Sequence, residues 1–369
     1  MASPPPVTPA PIDVEPPAFH TVPEPTPLTP PVHDEVVDAL LASPVLREPD
    51  FVAELHEWIE YWSVAVASAL PDFVRRMGHF ESTVDSALAA EGMPASLRYL
   101  PFIESGYNPR ARSHASAVGM WQFMEGTAGE YGMEVGPLLD ERRDPFKSTS
   151  AAVRYLSSLH GQFGSWFLAL AAYNGGPGRA RRIVRRHAPL AQPSDSLFWA
   201  LREHFPRETR DFIPKLIGAA VVASAPHRYG HRVERGGPLR FDEVEVPDAT
   251  TLDVVARAAG ASLEEIERLN PQLLRGITPP GRRFALRVPE GRGATFAENY
   301  ATIPPEERVS FVEHRVVSGE TLSHIARRYG VSVSELEAAN PGVRARYLRI
   351  GTRLTVPLAP SARRSGLLP

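Results

Sequence analysis

One glutamate, Glu104, stands at the end of an apolar run and directly before a turn, in the segment LPFIESGYNP that spans Leu100 to Pro109. An acid beside apolar surface is poorly solvated as an anion, so its proton is held more tightly than in water. A general acid that protonates a leaving oxygen near neutral pH needs this property. The segments GMWQ (119–122) and AYNGG (172–176) follow. Together the three segments indicate cleavage of a glycosidic bond.

The elements that must position these segments are mainly helical. From about residue 34 to 229, apolar residues recur at spacings of three and four, first in Phe51 to Leu70, with Pro71 stopping that pattern or starting the next helix. No strand pattern is convincing here, so the domain is predicted to be mostly α. Further helices are expected over 77–90, 148–163, 166–173 and 209–225, and another begins at Pro177.

The C-terminal part contains an internal repeat with an offset of 70 residues. Leu252 corresponds to Leu322, and the pair Asn270-Pro271 corresponds to Asn340-Pro341. Each unit is predicted to have the order strand, helix, helix, strand. In the second unit these elements are expected at about 313–317, 322–329, 333–339 and 353–356. Repeats this short are usually binding modules.

Composition sets the remaining limits. Residues 1–31 contain twelve prolines and no lysine or arginine, which predicts an extended tether. The net charge of −3 argues against a nucleic-acid partner. The chain has no cysteine, and its histidines lack metal-ligand spacing, so neither a metal nor a cofactor is expected. Neither a signal peptide nor a membrane anchor is visible, and the oligomeric state stays open.

These boundaries divide the chain into six parts. They are a tether over 1–33, a helical domain over 34–232, a first module over 240–290, a linker over 291–311, a second module over 312–358 and a tail over 359–369.

Four ordered motifs make the helical domain resemble the lytic transglycosylases of bacterial peptidoglycan, family 23 of the glycoside hydrolases, and most of all the membrane-bound lytic murein transglycosylase D type. The motifs are LPFIESGYNP, the stretch from Ser113 to Gln122, ALAAYNGGPG (169–178) and ETRDFIP (208–214), and the segment DERRDP (140–145) also fits. The resemblance implies a lysozyme-like fold and a location in the periplasm or cell envelope.

For the chemistry, the resemblance implies that Glu104 is the single acid/base. It would protonate the oxygen between N-acetylmuramic acid and N-acetylglucosamine and then accept the proton of the C6 hydroxyl, giving a 1,6-anhydro product. The substrate's acetamido group would replace the second carboxylate of most glycosidases. Asp85, Glu91 and Glu125 lie near Glu104 in sequence, and folding could bring any acid close.

The resemblance also implies a set of substrate-binding residues. Ser113 would bond near the acid or the substrate, Gln122 would contact polar groups of the sugar, and Met120 and Trp121 would line the cleft. Tyr173 and Asn174 would orient Glu104 or the acetamido group, and Glu208 would lie at the floor of the cleft or behind the residues that touch the substrate. Phe212 stands where the family often has tyrosine, so one hydroxyl is missing.

Simpler structural interpretations compete with these roles. Glu104 could be an ordinary carboxylate at a helix end, and Ser113 could only cap a helix. Trp121 and Tyr173 could be core aromatics. Gln122 could be a buried structural amide, and Glu208 could be structural as well.

The repeats resemble LysM modules, which bind chains that contain N-acetylglucosamine. The second is close to that pattern, with VSGETL over 317–322 and Asn340-Pro341. The first departs from it, because Asp248 to Thr251 replaces the Ser-Gly-Glu-Thr turn, and it is expected to keep the fold and lose affinity. The alternatives to a lytic transglycosylase are a non-catalytic peptidoglycan-binding protein and a lysozyme-type hydrolase.

Overall fold

The computed structural model describes residues 38–357, except 137, 280, 310, 341 and 345–347. The predicted tether over 1–33 and tail over 359–369 lie outside the described residues. Within the described ranges, no helix has both the length and the apolar character needed to cross a membrane.

The first part of the described chain is built from α-helices joined by short turns. Those described between residues 38 and 232 are α1 (Pro49–Glu60), α2 (Leu70–Ala90), α3 (Leu100–Ser105), α4 (Glu125–Glu130), α5 (Pro145–Phe163), α6 (Trp166–Gly175), α7 (Pro177–His187), α8 (Asp195–Leu201), α9 (Arg207–Arg210) and α10 (Phe212–Ser224).

Local sequence signals explain the two central helices. Asp144 begins α5 by accepting hydrogen bonds from the backbone N–H groups of Phe146 (2.9 Å) and Lys147 (3.1 Å), and Pro145 fits the first turn. Ser165 caps α6 through the N–H of Leu168. The residues of α6 from Trp166 to Ala172 are all buried, as expected of a helix that is apolar on every side. This helix therefore carries the AYN segment through the core.

The periodic pattern predicted over 51–70 is interrupted in the structure. The α-helix ends at Glu60, and Tyr61–Ala65 forms a π-helical turn before α2 starts at Leu70. The hydroxyl of Ser63 donates to the carbonyl of Ile59 at 2.7 Å, and such a side-chain bond competes with the regular backbone ladder. The turn leaves Tyr61 exposed and Trp62 buried.

The C-terminal part contains two modules of the predicted strand, helix, helix, strand order. The first comprises β1 (Phe241–Val246), α11 (Leu252–Ala259), α12 (Leu263–Leu269) and β2 (Phe284–Pro289), and the second comprises β3 (Phe311–Arg315), α14 (Leu322–Tyr329), α15 (Val333–Ala338) and β4 (Arg353–Pro357). In each module the two strands pair antiparallel. The predicted fold class, a mainly α domain followed by two small α+β modules, is confirmed.

The Asn-Pro pairs of the repeat have a structural function in both modules. The amide of Asn270 donates to the carbonyls of Ile266 and Arg287 at 2.8 and 2.7 Å, and its oxygen accepts from the Arg287 N–H at 2.9 Å. Asn340 makes the same three bonds to Leu336 and Thr355. Each asparagine therefore ties the second helix of its module to the last strand.

The segment after Pro289 differs from the linker that was predicted there. It forms a helix, α13 (Gly293–Thr302), and its Phe296 and Tyr300 are buried in the hydrophobic cluster of the first module. Tyr300 also shares a 2.7 Å hydrogen bond with the Thr250 hydroxyl. Burial of two aromatic side chains stabilises the packing of this helix on the module. The composition of the segment is typical of turns, so the helix was not predicted from the sequence.

A buried ion pair joins the first module to the helical domain. Arg287 of β2 donates to Asp144 at 2.9 Å, and both side chains are at most 10% exposed. The guanidinium lies 4.4 Å from the ring centroid of Phe146 and 5.2 Å from that of Phe241. Backbone pairing between Leu139 and Leu273 extends this contact. The cap of α5 is thus also the anchor of the first module.

Candidate active site

Glu104 lies in the last turn of the short helix α3. Residues 100–103 of this helix are buried, and Gly106 ends it in the left-handed conformation, with φ of 58°. A Cβ atom at Gly106 would lie 2.5 Å from the ring of Phe73, so glycine is required both by conformation and by space. Glu104 itself is only partly buried, which leaves the acid open to a substrate.

The environment of Glu104 favours its protonated form. Burial raises the pKa of Glu104 to about 7, the positive charge of Lys215 opposes this rise, and the negative charge of Glu208 adds to it. No described residue donates a hydrogen bond to its carboxylate. An acid with this pKa is about half protonated at neutral pH, as general acid catalysis requires.

The loop 119–122 is fixed beside Glu104 by two hydroxyl groups. Ser105 donates to the carbonyl of Met120 at 2.8 Å, and Tyr173 donates to the carbonyl of Trp121 at 2.6 Å. Burial, and then the negative charge of Glu104, raise the pKa of Tyr173 well above its usual value. The Tyr173 hydroxyl therefore keeps its proton and stays a hydrogen-bond donor. The three predicted motifs therefore meet at one place.

This loop is held in an unusual backbone conformation. Gln122 adopts the left-handed region, with φ of 51°, and its amide donates to the carbonyl of Gly119 at 2.8 Å. A Cβ atom at Gly119 would lie 1.8 Å from the carbonyl oxygen of Arg142, so only glycine fits. Left-handed residues other than glycine are costly and cluster at functional sites. Gln122 is partly exposed. Its amide has a structural hydrogen bond and can still reach a sugar, so both interpretations of this residue stay open.

Two of the predicted cleft-lining side chains lie in the core instead. Met120 and Trp121 are both 0% exposed. The indole N–H of Trp121 donates to the hydroxyl of Thr149 at 3.0 Å. Their contribution to the site is therefore the backbone carbonyls that Ser105 and Tyr173 hold, and the core interpretation of Trp121 describes its side chain.

Ser113 is used in a turn. Its hydroxyl accepts from the N–H of Ala117 at 3.0 Å and closes a turn, whereas the helix cap considered from the sequence is not found, because the next described helix begins at Glu125. Arg142 stabilises the neighbouring turn. Its guanidinium forms a bidentate pair with the Asp140 carboxylate, with both hydrogen bonds at 2.8 Å. Arg142 also reaches the carbonyls of Ser116 and Phe123. The DERRDP segment thus supports the loop that carries Gln122.

Asn174 is oriented by a residue that the sequence did not single out. The hydroxyl of Thr209 donates to the side-chain oxygen of Asn174 at 2.7 Å, so the amide N–H₂ of Asn174 is left to point elsewhere as a donor. Thr209 is 2% exposed, whereas its neighbour Glu208 is exposed. Phe212 is buried at the start of α10, and the hydroxyl missing from its ring would have stood in the core.

Lys215 is the second functional candidate that the sequence analysis missed. It lies on α10, close enough to Glu104 to lower the pKa of that acid. One signal was available: Lys147 and Lys215 are the only lysines in a chain whose other basic residues are arginines. A lysine retained in such a background, seven residues beyond Glu208, could have been tested as part of the site.

Comparison with known proteins assigns three regions of the chain to known domain families. Residues 84–192 match the Transglycosylase SLT domain, residues 240–305 match the LysM-like domain of lytic transglycosylase MltD, and residues 314–357 match the LysM domain. Peptidoglycan transglycosylase gp16 of Escherichia phage T7 is 36% identical over 104 residues, which cover 27% of this chain and 8% of that protein. Among solved structures, the 70 kDa soluble lytic transglycosylase of Escherichia coli aligns with 48% of this chain and 30% of its own, at 22% identity and a TM-score of 0.36.

The most extensive of these similarities covers four-fifths of the chain. Membrane-bound lytic murein transglycosylase D of Escherichia coli K12 is 30% identical over 311 residues, which cover 80% of this chain and 67% of that protein. The chain belongs to the family of the membrane-bound lytic murein transglycosylases D.

Proposed function

We propose that this chain is a lytic transglycosylase that cleaves the β-1,4 bond between N-acetylmuramic acid and N-acetylglucosamine in peptidoglycan, with Glu104 as its single acid/base. The observation that carries the proposal is the state of Glu104, whose pKa burial raises to about 7. This acid stands in the domain that matches the transglycosylase family. The enzyme acts in the periplasm or cell envelope.

The chemistry needs only one protein group. Protonated Glu104 gives its proton to the glycosidic oxygen as the bond from that oxygen to C1 breaks. The C6 hydroxyl of the muramyl residue attacks C1 to form the 1,6-anhydro ring, and its proton passes to the Glu104 carboxylate. Water is not consumed, and Glu104 ends protonated, ready for another cycle. A pKa near the working pH suits a group that acts first as acid and then as base.

The acids that sequence alone left open are not among the charges that shift the pKa of Glu104, which are those of Lys215 and Glu208. Asp85 is paired with Arg98 at 3.0 Å. Glu91 ends α2 and Glu125 begins α4, and both are exposed. This supports stabilisation of C1 by the acetamido group of the substrate.

One observation favours a second candidate, a lysozyme-type hydrolase. Glu208 is exposed and close enough to raise the pKa of Glu104, so it could activate a water molecule. The products separate the two reactions, because hydrolysis leaves reducing ends and transglycosylation leaves anhydro ends. Glu208→Gln should leave the anhydro product unchanged if our proposal is right.

The direct test is Glu104→Gln, with digests of purified cell walls followed by mass spectrometry. We expect release of anhydro-muropeptides to fall by at least about 100-fold, since a positioned acid contributes 10²–10⁴-fold. Binding to cell walls, measured by co-sedimentation, should not change. Substantial residual cleavage would remove Glu104 from its role, and reducing ends from the wild type would favour the hydrolase.

The pH profile gives a second, independent test of the same acid. Because Glu104 must start protonated, kcat/KM should fall as pH rises above about 7. Lys215 lowers the pKa of Glu104, so Lys215→Met should move this alkaline limb to higher pH. Glu208 raises it, so Glu208→Gln should move the limb to lower pH. Shifts in the same direction would contradict the assignment.

The LysM match supports a binding role for the second module. We propose that residues 314–357 bind N-acetylglucosamine-containing chains and hold the enzyme on the wall.

A further inference from the structure

A partly exposed aromatic pair lies at the end of α1, before the region that matches the transglycosylase family. The rings of Trp58 and Tyr61 meet edge to face at 5.1 Å. Tyr61 is 39% exposed, Trp58 is half-buried, and the neighbouring Val64 is 66% exposed. Large apolar side chains that remain next to one another at a surface often mark a binding site.

The backbone beneath this pair is firmly held. The π-helical turn Tyr61–Ala65 buries Trp62, whose indole N–H donates to the carbonyl of Lys215 at 3.0 Å. Gly218 packs so closely on α1 that a Cβ atom there would lie 3.0 Å from Trp58 Cβ. Turns of this kind recur at functional sites. The aromatic pair is therefore a rigid platform on the side of α10.

Lys215 links this platform to the reacting acid. Its ammonium lies 5.8 Å from the ring centroid of Trp58 and forms no salt bridge with any residue that the structure describes. The Trp62 indole connects the two sites. It donates to the backbone carbonyl of Lys215, and its ring lies 5.5 Å from the ring of Phe102. Phe102 precedes Glu104 by two residues in the same helix. The Lys215 ammonium therefore lies beside the Trp58 ring, and its positive charge also acts on Glu104.

We infer that Trp58, Tyr61 and Lys215 form a subsite for a peptidoglycan strand next to Glu104, an inference that rests on the proposed function. The C–H face of a pyranose ring is apolar and stacks on an aromatic side chain, as other apolar groups do. The Lys215 ammonium pairs with a carboxylate of the strand, either from the muramyl lactyl group or from the stem peptide. Uncharged N-acetylglucosamine chains use the aromatic platform alone.

The test measures binding in the full chain carrying Glu104→Gln, so that no ligand is cleaved. The ligands are chitohexaose, a peptide-free glycan strand with free lactyl carboxylates and a strand with intact stem peptides. Any affinity of the second module is common to all variants, so each substitution is scored by the difference between its binding and that of the Glu104→Gln parent. Circular dichroism checks that each variant is folded.

Paired substitutions separate the two contributions. Tyr61→Ala and Trp58→Leu should weaken all three ligands by about 3- to 10-fold, as loss of an aromatic contact predicts, whereas Tyr61→Phe should bind normally. Lys215→Met should weaken only the charged strands, by about 5-fold, and Lys215→Arg should retain them. The strand that loses most identifies which carboxylate is bound.

The outcomes also distinguish this subsite from the proposed function. If the wild type releases no anhydro-muropeptides from cell walls, the proposed function fails. If it does release them and the aromatic variants bind all three ligands like the parent, the subsite is wrong. Equal weakening of chitohexaose and charged strands by Lys215→Met would overturn the carboxylate contact.

Discussion

The two C-terminal modules have the same fold but are attached in different ways. In the first, Arg287 is paired with Glu243 across the sheet and its side chain is buried against Asp144 of the catalytic domain. In the second, the equivalent residue by register and by its asparagine bonds is Thr355, which is exposed. At this position of the last strand, the first module therefore makes a buried ion pair with the catalytic domain, whereas the second module has an exposed side chain.

The contacts of the first strand show the same contrast. Phe241 packs edge to face on Phe146 at 5.0 Å, inside the buried contact that contains Arg287. Phe311, at the same place in the second module, lies beside Gly276 of the first module, where an added Cβ atom would be 3.3 Å from its ring, and Glu313 adds a 2.8 Å pair with Arg275. We interpret the first module as a support for the catalytic domain and the second as its wall-binding unit.

The largest effect should come from Arg287→Met, which leaves the Asp144 carboxylate buried without its cation. Loss of one partner from a buried pair costs about 3–5 kcal/mol, so the free energy of unfolding should fall by this order. Tryptophan fluorescence in a denaturant titration reports it, because all five tryptophans precede residue 200. The change should therefore appear in the catalytic domain, although the substitution lies in the module.

The matched control is Thr355→Met in the second module. An exposed substitution usually changes stability by less than about 0.5 kcal/mol, and the tryptophan signal should not respond to it. Equal effects of the two substitutions, or no effect of Arg287→Met, would show that both modules are attached alike.

Much of each module could be predicted from the sequence. The helix expected over 322–329 has these bounds in the structure, because Thr321 caps it and Gly330 ends it at φ of 67°. The Asn-Pro repeat marked the position of the asparagine lock without revealing its hydrogen bonds. Such signals act within a few residues, so they can be recognised without knowledge of the fold.

The attachments and the burial of aromatic residues could not be predicted in this way. Asp144 and Arg287 are 143 residues apart, and no local pattern pairs them. Periodicity did not separate Trp121, expected at the cleft and found in the core, from Trp58, which is only partly buried and lies beside Lys215. The side of a helix that faces the core depends on the packing of distant elements, and the charge environment of Glu104 depends on the same packing.

A smaller difference between the modules is expected in the loss of unfolding free energy caused by Asn270→Ala and by Asn340→Ala. Asn270 is 1% exposed, so its removal leaves the backbone N–H of Arg287 buried without a partner, at a cost of about 1–3 kcal/mol. Asn340 is more open, so water can replace part of its network and we expect about 1 kcal/mol. Hydrogen exchange of peptides from each module measures both values.

Aspartate at each position refines this measurement. Asn→Asp keeps the oxygen that accepts the backbone N–H and loses the two donated bonds, so it should have an intermediate effect at both sites. A larger loss from Asn340→Ala than from Asn270→Ala would reverse our view of which module is the more tightly built.

The smallest expected difference concerns acid sensitivity and arises from Glu320 of the second module. The backbone N–H of Val317 and then the His314 ring lower the pKa of Glu320 below its usual value of 4.5. A lowered folded-state pKa means that this stabilisation is present above pH 4.5 and is lost as pH falls through the folded-state value. The first module has Thr250 at this position, 70 residues earlier, and Thr250 does not titrate in this range.

Glu320→Gln should therefore speed hydrogen exchange in residues 312–340 at pH 7, by an amount that corresponds to about 1 kcal/mol or less. As pH falls through the folded-state pKa of Glu320, the variant and the wild type should converge, because the wild-type carboxyl then becomes protonated as well. Glu245→Gln, at an exposed pair with Arg283 in the first module, is the control and should change neither curve. A difference that persists unchanged through the whole acid titration would mean that the Glu320 charge does not cause it, and the two modules would then share one response to acid.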